Sequence, residues 1–197
     1  FEYFIGEGMN RFLAVFYGQD SYQIGPIRSG RLVDAQITEM YQGILSYGNA
    51  DERVDQVILN VLGDRAFAAK DSPCPPVCGT ETHSYEGVFA DSRALQEYLI
   101  NMRGVDNNKP DLMGMVFETQ IPVGGVSGKQ IAIQYSSFCR GEWRYDEETQ
   151  QYLRWAEKDL DIADMEPQLD RLTNQQLAYS NVIILFSEYV IYTETLQ

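Results

Sequence analysis

Hydrophobic and polar positions run first with the period of a strand and then with that of a helix. Phe1 to Ile5 alternates, Gly6-Glu7-Gly8 turns, and Arg11 to Tyr17 is a nearly continuous apolar run. The pair reads as a β-hairpin whose second member suits a central strand covered on both faces. Gly18-Gln19-Asp20 marks another turn. Tyr22 to Arg31 is again extended, but Pro26 cannot donate to a ladder. That piece is therefore an edge, a bulge or a strand end.

Helical spacing follows. Leu32, Ala35, Ile37, Met40, Tyr41 and Ile44 predict a helix from Leu32 to about Ile44. Leu45 to Tyr47 reads as a short strand closed by Gly48-Asn49. Asp51 caps a second helix, with Val54, Val57, Ile58, Val61 and Leu62 on one face before Gly63 ends it. Asp64 to Lys70 suits a strand, and residues 71–88 form a long loop around two cysteines. Asp91 or Ser92 caps a third helix, with Leu95, Tyr98, Leu99 and Met102 inward and an end near Gly104.

Between Val105 and Met115 the texture changes, and Asp106-Asn107-Asn108-Lys109-Pro110 reads as a linker. The expected division is an α/β domain over 1–106 and a β-rich domain over 107–197. Downstream, Met115 to Thr119 and Gln130 to Ser136 are strands around a Gly-rich turn. Glu142 to Asp146 and Gln151 to Trp155 form a hairpin. Glu157 to Asp170 reads as an acidic loop, and Asn181 to Tyr192 as a buried strand. The fold class is α+β: a mixed sheet with about three helices, then mostly antiparallel β structure.

Composition narrows the function classes. With 197 residues and 44% hydrophobic content, the chain can bury a sizeable core. Fifteen basic against 29 acidic residues give a net charge of −14. So acidic a chain is a poor match for nucleic acid, which wants a basic face. No apolar run approaches the roughly 18 residues of a membrane span. The sequence opens in strand-like text without an initiator Met or a signal peptide, and closes just after another strand. This reads as a piece of a longer precursor.

Arg11, Arg28 and Arg31 stand out against the acidic background. Gly25-Pro26-Ile27-Arg28-Ser29-Gly30-Arg31 precedes a helix, so small residues, free N–H groups and guanidinium forks converge. Arg11, Arg28, Ser29 and Arg31 are thus candidates for binding an anion; the alternative is pairing with Glu2, Glu7, Asp34 or Glu39. Cys74-Pro75-Pro76-Val77-Cys78 is either a small disulfide loop of an oxidising compartment or two reduced cysteines. Cys139 reads as a buried small hydrophobe. Three cysteines and one histidine do not make a zinc set. Asp159-Leu160-Asp161 starts like a calcium loop, but Ala163 and Asp164 break the pattern. No metal or other cofactor is expected. His83 lies beside Ser84 and Glu81, yet no nucleophile elbow is present, and no catalytic residue can be named. Trp143, Tyr145, Tyr152 and Trp155 read as cross-strand pairs, with a carbohydrate-stacking platform as the alternative.

Two stretches carry a family resemblance. Glu7-Gly8-Met9-Asn10-Arg11-Phe12-Leu13-Ala14-Val15-Phe16-Tyr17, then Ile24-Gly25-Pro26-Ile27-Arg28-Ser29-Gly30-Arg31, resembles the signature of the YerB-like bacterial lipoproteins. Tyr145 to Arg154 and Asn181-Val182-Ile183-Ile184 are similar to that family's second domain. Gly30 departs from the alanine usual in the family pattern. The resemblance implies a secreted or lipid-anchored envelope protein of unknown function, with any membrane contact made through an anchor outside this sequence. It favours the disulfide and transfers no catalytic residues. An apolar strand, a turn and a strand ending in Pro-x-Arg also resembles the LytR–CpsA–Psr envelope phosphotransferases, whose acidic metal-binding motif is not visible here. The leading expectation is a non-catalytic envelope domain binding an anionic small molecule, an envelope component or a partner protein. The alternatives are a phosphoryl transferase or hydrolase on a lipid-linked or sugar-phosphate substrate, and a structural protein pairing through strand edges.

Overall fold

The computed structural model describes residues 1–6, 8–79, 87–106, 108–112, 120 and 123–188. In chain order its elements are β1 (Glu2–Gly6), β2 (Met9–Phe12), α1 (Leu32–Met40), β3 (Leu45–Tyr47), α2 (Glu52–Leu62), β4 (Ala66–Ala68), β5 (Val77–Cys78), β6 (Phe89–Ala90) and α3 (Ser92–Arg103). Then follow β7 (Gln130–Gln134), β8 (Arg140–Asp146), β9 (Gln151–Lys158), β10 (Asp161–Pro167) and β11 (Ala178–Tyr179). The architecture is α+β, with the helices early in the chain and a mostly antiparallel sheet late. Contacts divide it into two compact units, Leu13–Thr119 and Phe1–Phe12 with Gln120–Gln197. The opening hairpin thus groups with the late strands.

In the helical unit, β3 and β4 pair in parallel with α2 as their crossover. Alternation along β4 sends Ala66 and Ala68 into one core with Ala35, Leu45, Tyr47, Ile58 and Leu62. Phe67 points the other way, against Val77, Val88, Ala90, Leu95 and Leu99. The caps are those expected: the Asp51 carboxylate accepts from Arg53 N–H, and the Asp91 carboxylate from Ala94 N–H at 2.9 Å. Gly104, in the left-handed region at φ 64°, ends α3. α1 stops short of the expected Ile44, because Gln42 leaves the helix at φ 51°. Part of each of these two predicted helix faces stays outside: Ile58 and Leu62 are buried while Val57 and Val61 are exposed, and Leu95 and Leu99 are buried while Met102 is not. A parallel pair only three residues long covers no wider a stripe.

In the sheet unit, β7, β8, β9 and β10 are antiparallel neighbours in that order, and β11 pairs with β9 beside β10. The predicted hairpin is β8 and β9, with Tyr145 opposite Tyr152. The predicted acidic loop is instead a second hairpin. Asp159 and Leu160 both take positive φ, 50° and 63°, which suits a tight turn between twisted strands. β10 then keeps Ile162 and Met165 half-buried and leaves its carboxylates in water.

Two apolar runs do not become buried strands. β2 ends at Phe12, and Val15, Phe16 and Tyr17 are exposed. Residues 181–188 form no strand; Ile183 is 76% and Phe186 95% exposed. An apolar run needs a ladder partner to be buried, and the described residues form no strand over 14–17 or 181–188. The expected strand at Met115 to Thr119, and residues 189–192 of the last one, lie outside the described residues. Among the described residues no helix is long and apolar enough to cross a membrane.

Candidate functional site

β3 and β4 stop at Tyr47 and Ala68, and Gly48-Asn49 and Ala69-Lys70 continue past their carboxyl ends. Lys70 N–H still reaches the Gly48 carbonyl, at 3.4 Å. Open α/β sheets take ligands at the carboxyl ends of parallel strands, where loops diverge. Here that place is a cleft of about 250 Å³, lined by Gly48, Asn49, Lys70, Ser72, Cys74 and Val77 among others.

The basic loop found in the sequence runs along this cleft. Gly48 N–H donates to the Arg28 carbonyl at 2.8 Å, and Gly30 N–H to the Asn49 carbonyl at 2.8 Å. The Ser29 hydroxyl donates to Asn49 Oδ1 at 2.9 Å. Glycine at 30 permits this close approach: a Cβ there would sit 2.8 Å from Ile58 Cδ1 and 3.0 Å from the Tyr47 ring. Upstream, Ile24 exchanges hydrogen bonds with Ala90, and Ile27 N–H donates to the Val88 carbonyl. Pro26 sits in this irregular stretch, as its missing donor requires.

The four candidate anion ligands do not play one role. The Arg31 guanidinium folds back, Nη1 donating to the Gly30 carbonyl at 2.9 Å and to the Ser29 carbonyl at 3.3 Å. Its own N–H donates to the Asp34 carboxylate at 2.8 Å, starting α1. Arg31 therefore shapes the loop. Arg28 and Ser29 are tied to the cleft through Gly48 and Asn49. Arg11 pairs with Tyr3 across the opening hairpin and belongs to the sheet unit.

Sequence reasoning missed Asn49 and Lys70, whose only signal was their place at the ends of predicted strands, Asn49 just after one and Lys70 the last residue of the other. Lys70 Nζ lies 3.0 Å from Asp55 Oδ2, and Tyr47 Oη donates to Asp55 Oδ1 at 2.6 Å. The hydrogen bond from the Tyr47 hydroxyl, and then the Lys70 ammonium, hold the Asp55 carboxyl below its ordinary range against the opposing effect of burial. In return the Asp55 carboxylate raises Lys70.

The choice left open for Cys74 and Cys78 falls to the disulfide. Cys139 is free and buried, and burial pushes its thiol up to about 11. Glu2 pairs with Arg154 at 2.8 Å and accepts from Asn10, so it is not an exposed acid or base. His83, Glu81 and Glu7 lie outside the described residues. Asp161 Oδ1 accepts from the N–H of Ala163. Among the described residues no three His, Cys, Asp or Glu side chains gather to hold a metal ion. Tyr145 and Tyr152 meet edge to face at 5.1 Å, while guanidinium groups lie over Trp155 and Trp143 at 4.1 and 4.6 Å.

Comparison with known proteins bears on the whole chain. The crystal structure of YerB protein from Bacillus subtilis is similar over 90% of this chain, with a TM-score of 0.71 and 15% identity. This chain spans 57% of that chain's length. At that identity the likeness establishes the fold. No curated protein matches the sequence. The DUF3048 N-terminal domain matches residues 1–96 and the DUF3048 C-terminal domain residues 131–195, both described as protein of unknown function. With both domains present and in order, the chain belongs to the YerB-like DUF3048 family.

Proposed function

We propose that this chain is an extracytoplasmic cell-envelope domain that binds a small anionic ligand in the cleft beyond β3 and β4, without catalysing a reaction. One observation carries the reading: the Arg28-Ser29 loop is hydrogen-bonded along the carboxyl ends of a parallel strand pair, beside Asn49 and Lys70. Arg28 and Lys70 bring positive charge to this place, and the Ser29 hydroxyl and Asn49 amide bring polar groups. A Cys74–Cys78 disulfide is compatible with an oxidising compartment. A second reading, a partner protein adding to a strand edge, draws on the exposed and uncharged Ile183 to Phe186.

Calorimetric titration with pyrophosphate, with and without Mg²⁺, tests the proposal. Saturable binding that is lost in a folded Arg28→Ala variant is expected. No heat, or heat unchanged by that substitution, overturns the anion reading. Phosphate release in the Mg²⁺ arm would turn the assignment to phosphoryl transfer or hydrolysis.

A further inference from the structure

We propose that the Cys74–Cys78 disulfide is a redox latch on one wall of the cleft, holding that wall closed when oxidised and releasing it when reduced. The proposal rests on the cleft being the binding site. Ser72, Cys74, Val77 and Gly79 all line the cleft, so one wall is the disulfide loop itself.

The two halves of that loop are held differently. Pro76 and Val77 are buried, and the Pro76 carbonyl accepts from Asp91 N–H at 3.0 Å. Val77 and Cys78 pair with Ala90 and Phe89 in a β ladder. This half is fixed by the core and the sheet. Pro73, Cys74 and Pro75 are exposed. Their half is tied by Ser72 N–H to the Ala69 carbonyl at 3.2 Å, by Val77 N–H to the Pro73 carbonyl at 3.4 Å and by the disulfide. Opening the S–S bond therefore leaves residues 72–75 on those two hydrogen bonds, the longer of them 3.4 Å, while 76–78 keep the core and the ladder.

The chemistry is ordinary exchange with an external dithiol. Cys74 is exposed and Cys78 half-buried, so an incoming thiolate meets Cys74 Sγ first. Attack there forms a mixed disulfide and expels the Cys78 thiolate, which takes a proton. The reductant's second thiolate then attacks its own sulfur of the mixed disulfide and expels Cys74, which is protonated in turn. The protein gains two electrons and two protons, and the reductant leaves as a disulfide. Cys139 is a free, buried thiol and takes no part.

Two readouts on the oxidised and dithiothreitol-reduced protein test this. Hydrogen exchange should quicken on reduction at the Ser72 and Val77 amides, whose bonds to the Ala69 and Pro73 carbonyls anchor the released half, while that of Ala90, bonded to the Ile24 carbonyl, stays slow. Pyrophosphate affinity should fall about tenfold, because the ligand must then order a freed segment. A Cys74→Ser/Cys78→Ser variant should bind as weakly as the reduced protein and ignore the reductant. Unchanged exchange overturns the latch whether or not pyrophosphate binds. Equal affinity in both redox states overturns its control of the site. Quickened exchange in a protein that never binds pyrophosphate overturns the anion reading and leaves the latch standing.

Discussion

In the sheet unit a guanidinium lies where the helical unit places hydrocarbon. Arg154 is 3% exposed, 4.6 Å from the Trp143 ring centre and 2.8 Å from the Glu2 carboxylate. In the helical unit Phe67, Ile58 and Leu99 occupy the same depth. The first arrangement tolerates burial only because each charge has a partner; the second depends on volume alone. The helical unit buries one carboxylate, Asp34, which accepts from Arg31 N–H at the start of α1, while Lys70 lines the cleft and pairs with Asp55. The sheet unit uses its charges internally: Glu142, itself buried, bridges Arg140 and Arg144. The proposed cleft thus lies in the unit whose deepest side chains are hydrocarbon.

Removing Arg154 should separate the two regimes most sharply. Arg154→Ala leaves the Glu2 carboxylate buried without its cation, a loss of about 3–5 kcal/mol in denaturant unfolding. Arg154→Met combined with Glu2→Leu should recover most of that loss, because neither charge is then stranded. If the double variant is no better than the single one, the pair does more than neutralise itself.

Leu99→Ala is the counterpart in the helical unit. Leu99 is fully buried in one hydrophobic cluster with Phe67, Val77, Val88, Ala90 and Leu95. Its truncation should cost about 2–5 kcal/mol through lost transfer energy and a cavity. No charge change elsewhere should rescue it. Rescue by a larger neighbour, but not by a change in salt, would confirm that volume is the controlling quantity.

Gly141→Ala probes the same arginine from behind. A Cβ at Gly141 would sit 2.7 Å from Arg154 Nη2 and 2.9 Å from its central carbon. The guanidinium is fixed by Glu2 and two rings, so it has little room to retreat. We expect about 1–3 kcal/mol of overpacking cost, read from the denaturation midpoint. Gly30→Ala is the corresponding case in the helical unit: its Cβ would meet Ile58 Cδ1 at 2.8 Å and the Tyr47 ring at 3.0 Å, both buried, so an overpacking cost is expected there too.

These residues also mark how far the sequence could be read. Helices were legible because a cap, a periodic face and a glycine stop coincide at Asp51 to Gly63 and at Asp91 to Gly104. The β8–β9 hairpin was legible because Tyr145 and Tyr152 alternate around a turn. The acidic hairpin was not, because Asp159-Leu160 lacks the Asn-Gly or Asp-Gly signal of its turn. Arg11 to Tyr17 and Val182 to Phe186 look like central strands because periodicity records apolarity and not the presence of a partner. At the site, the Arg28-Ser29-Gly30-Arg31 loop was visible from charge and glycine. Lys70, Asn49 and the Tyr47–Asp55 contact were not, since they converge only when β3 and β4 pair.

That contact gives the comparison its smallest test and a dependence on pH. Tyr47 is buried, and its hydroxyl donates to Asp55 at 2.6 Å. Asp55 ionises below its ordinary range in the folded chain, chiefly through that bond. Its contribution is therefore fully present above the unfolded carboxyl value of about 3.9 and is lost as the pH falls through the lowered folded value. Tyr47 is shifted the other way, upward, first by burial and then by Asp55. Its contribution is full below the ordinary tyrosine value near 10 and fades as the pH rises through the higher folded one. Tyr47→Phe should cost about 1 kcal/mol near neutrality. It should also flatten both arms of the stability profile between about pH 2 and 11, within the ranges set by the two ordinary values. Lys70 keeps its partner in this variant, so pyrophosphate affinity should change little at neutral pH. An acid arm as steep in Tyr47→Phe as in the parent would assign the Asp55 shift to Lys70 instead, and would make the cleft-lining ion pair, and not the buried tyrosine, the pH-sensitive element.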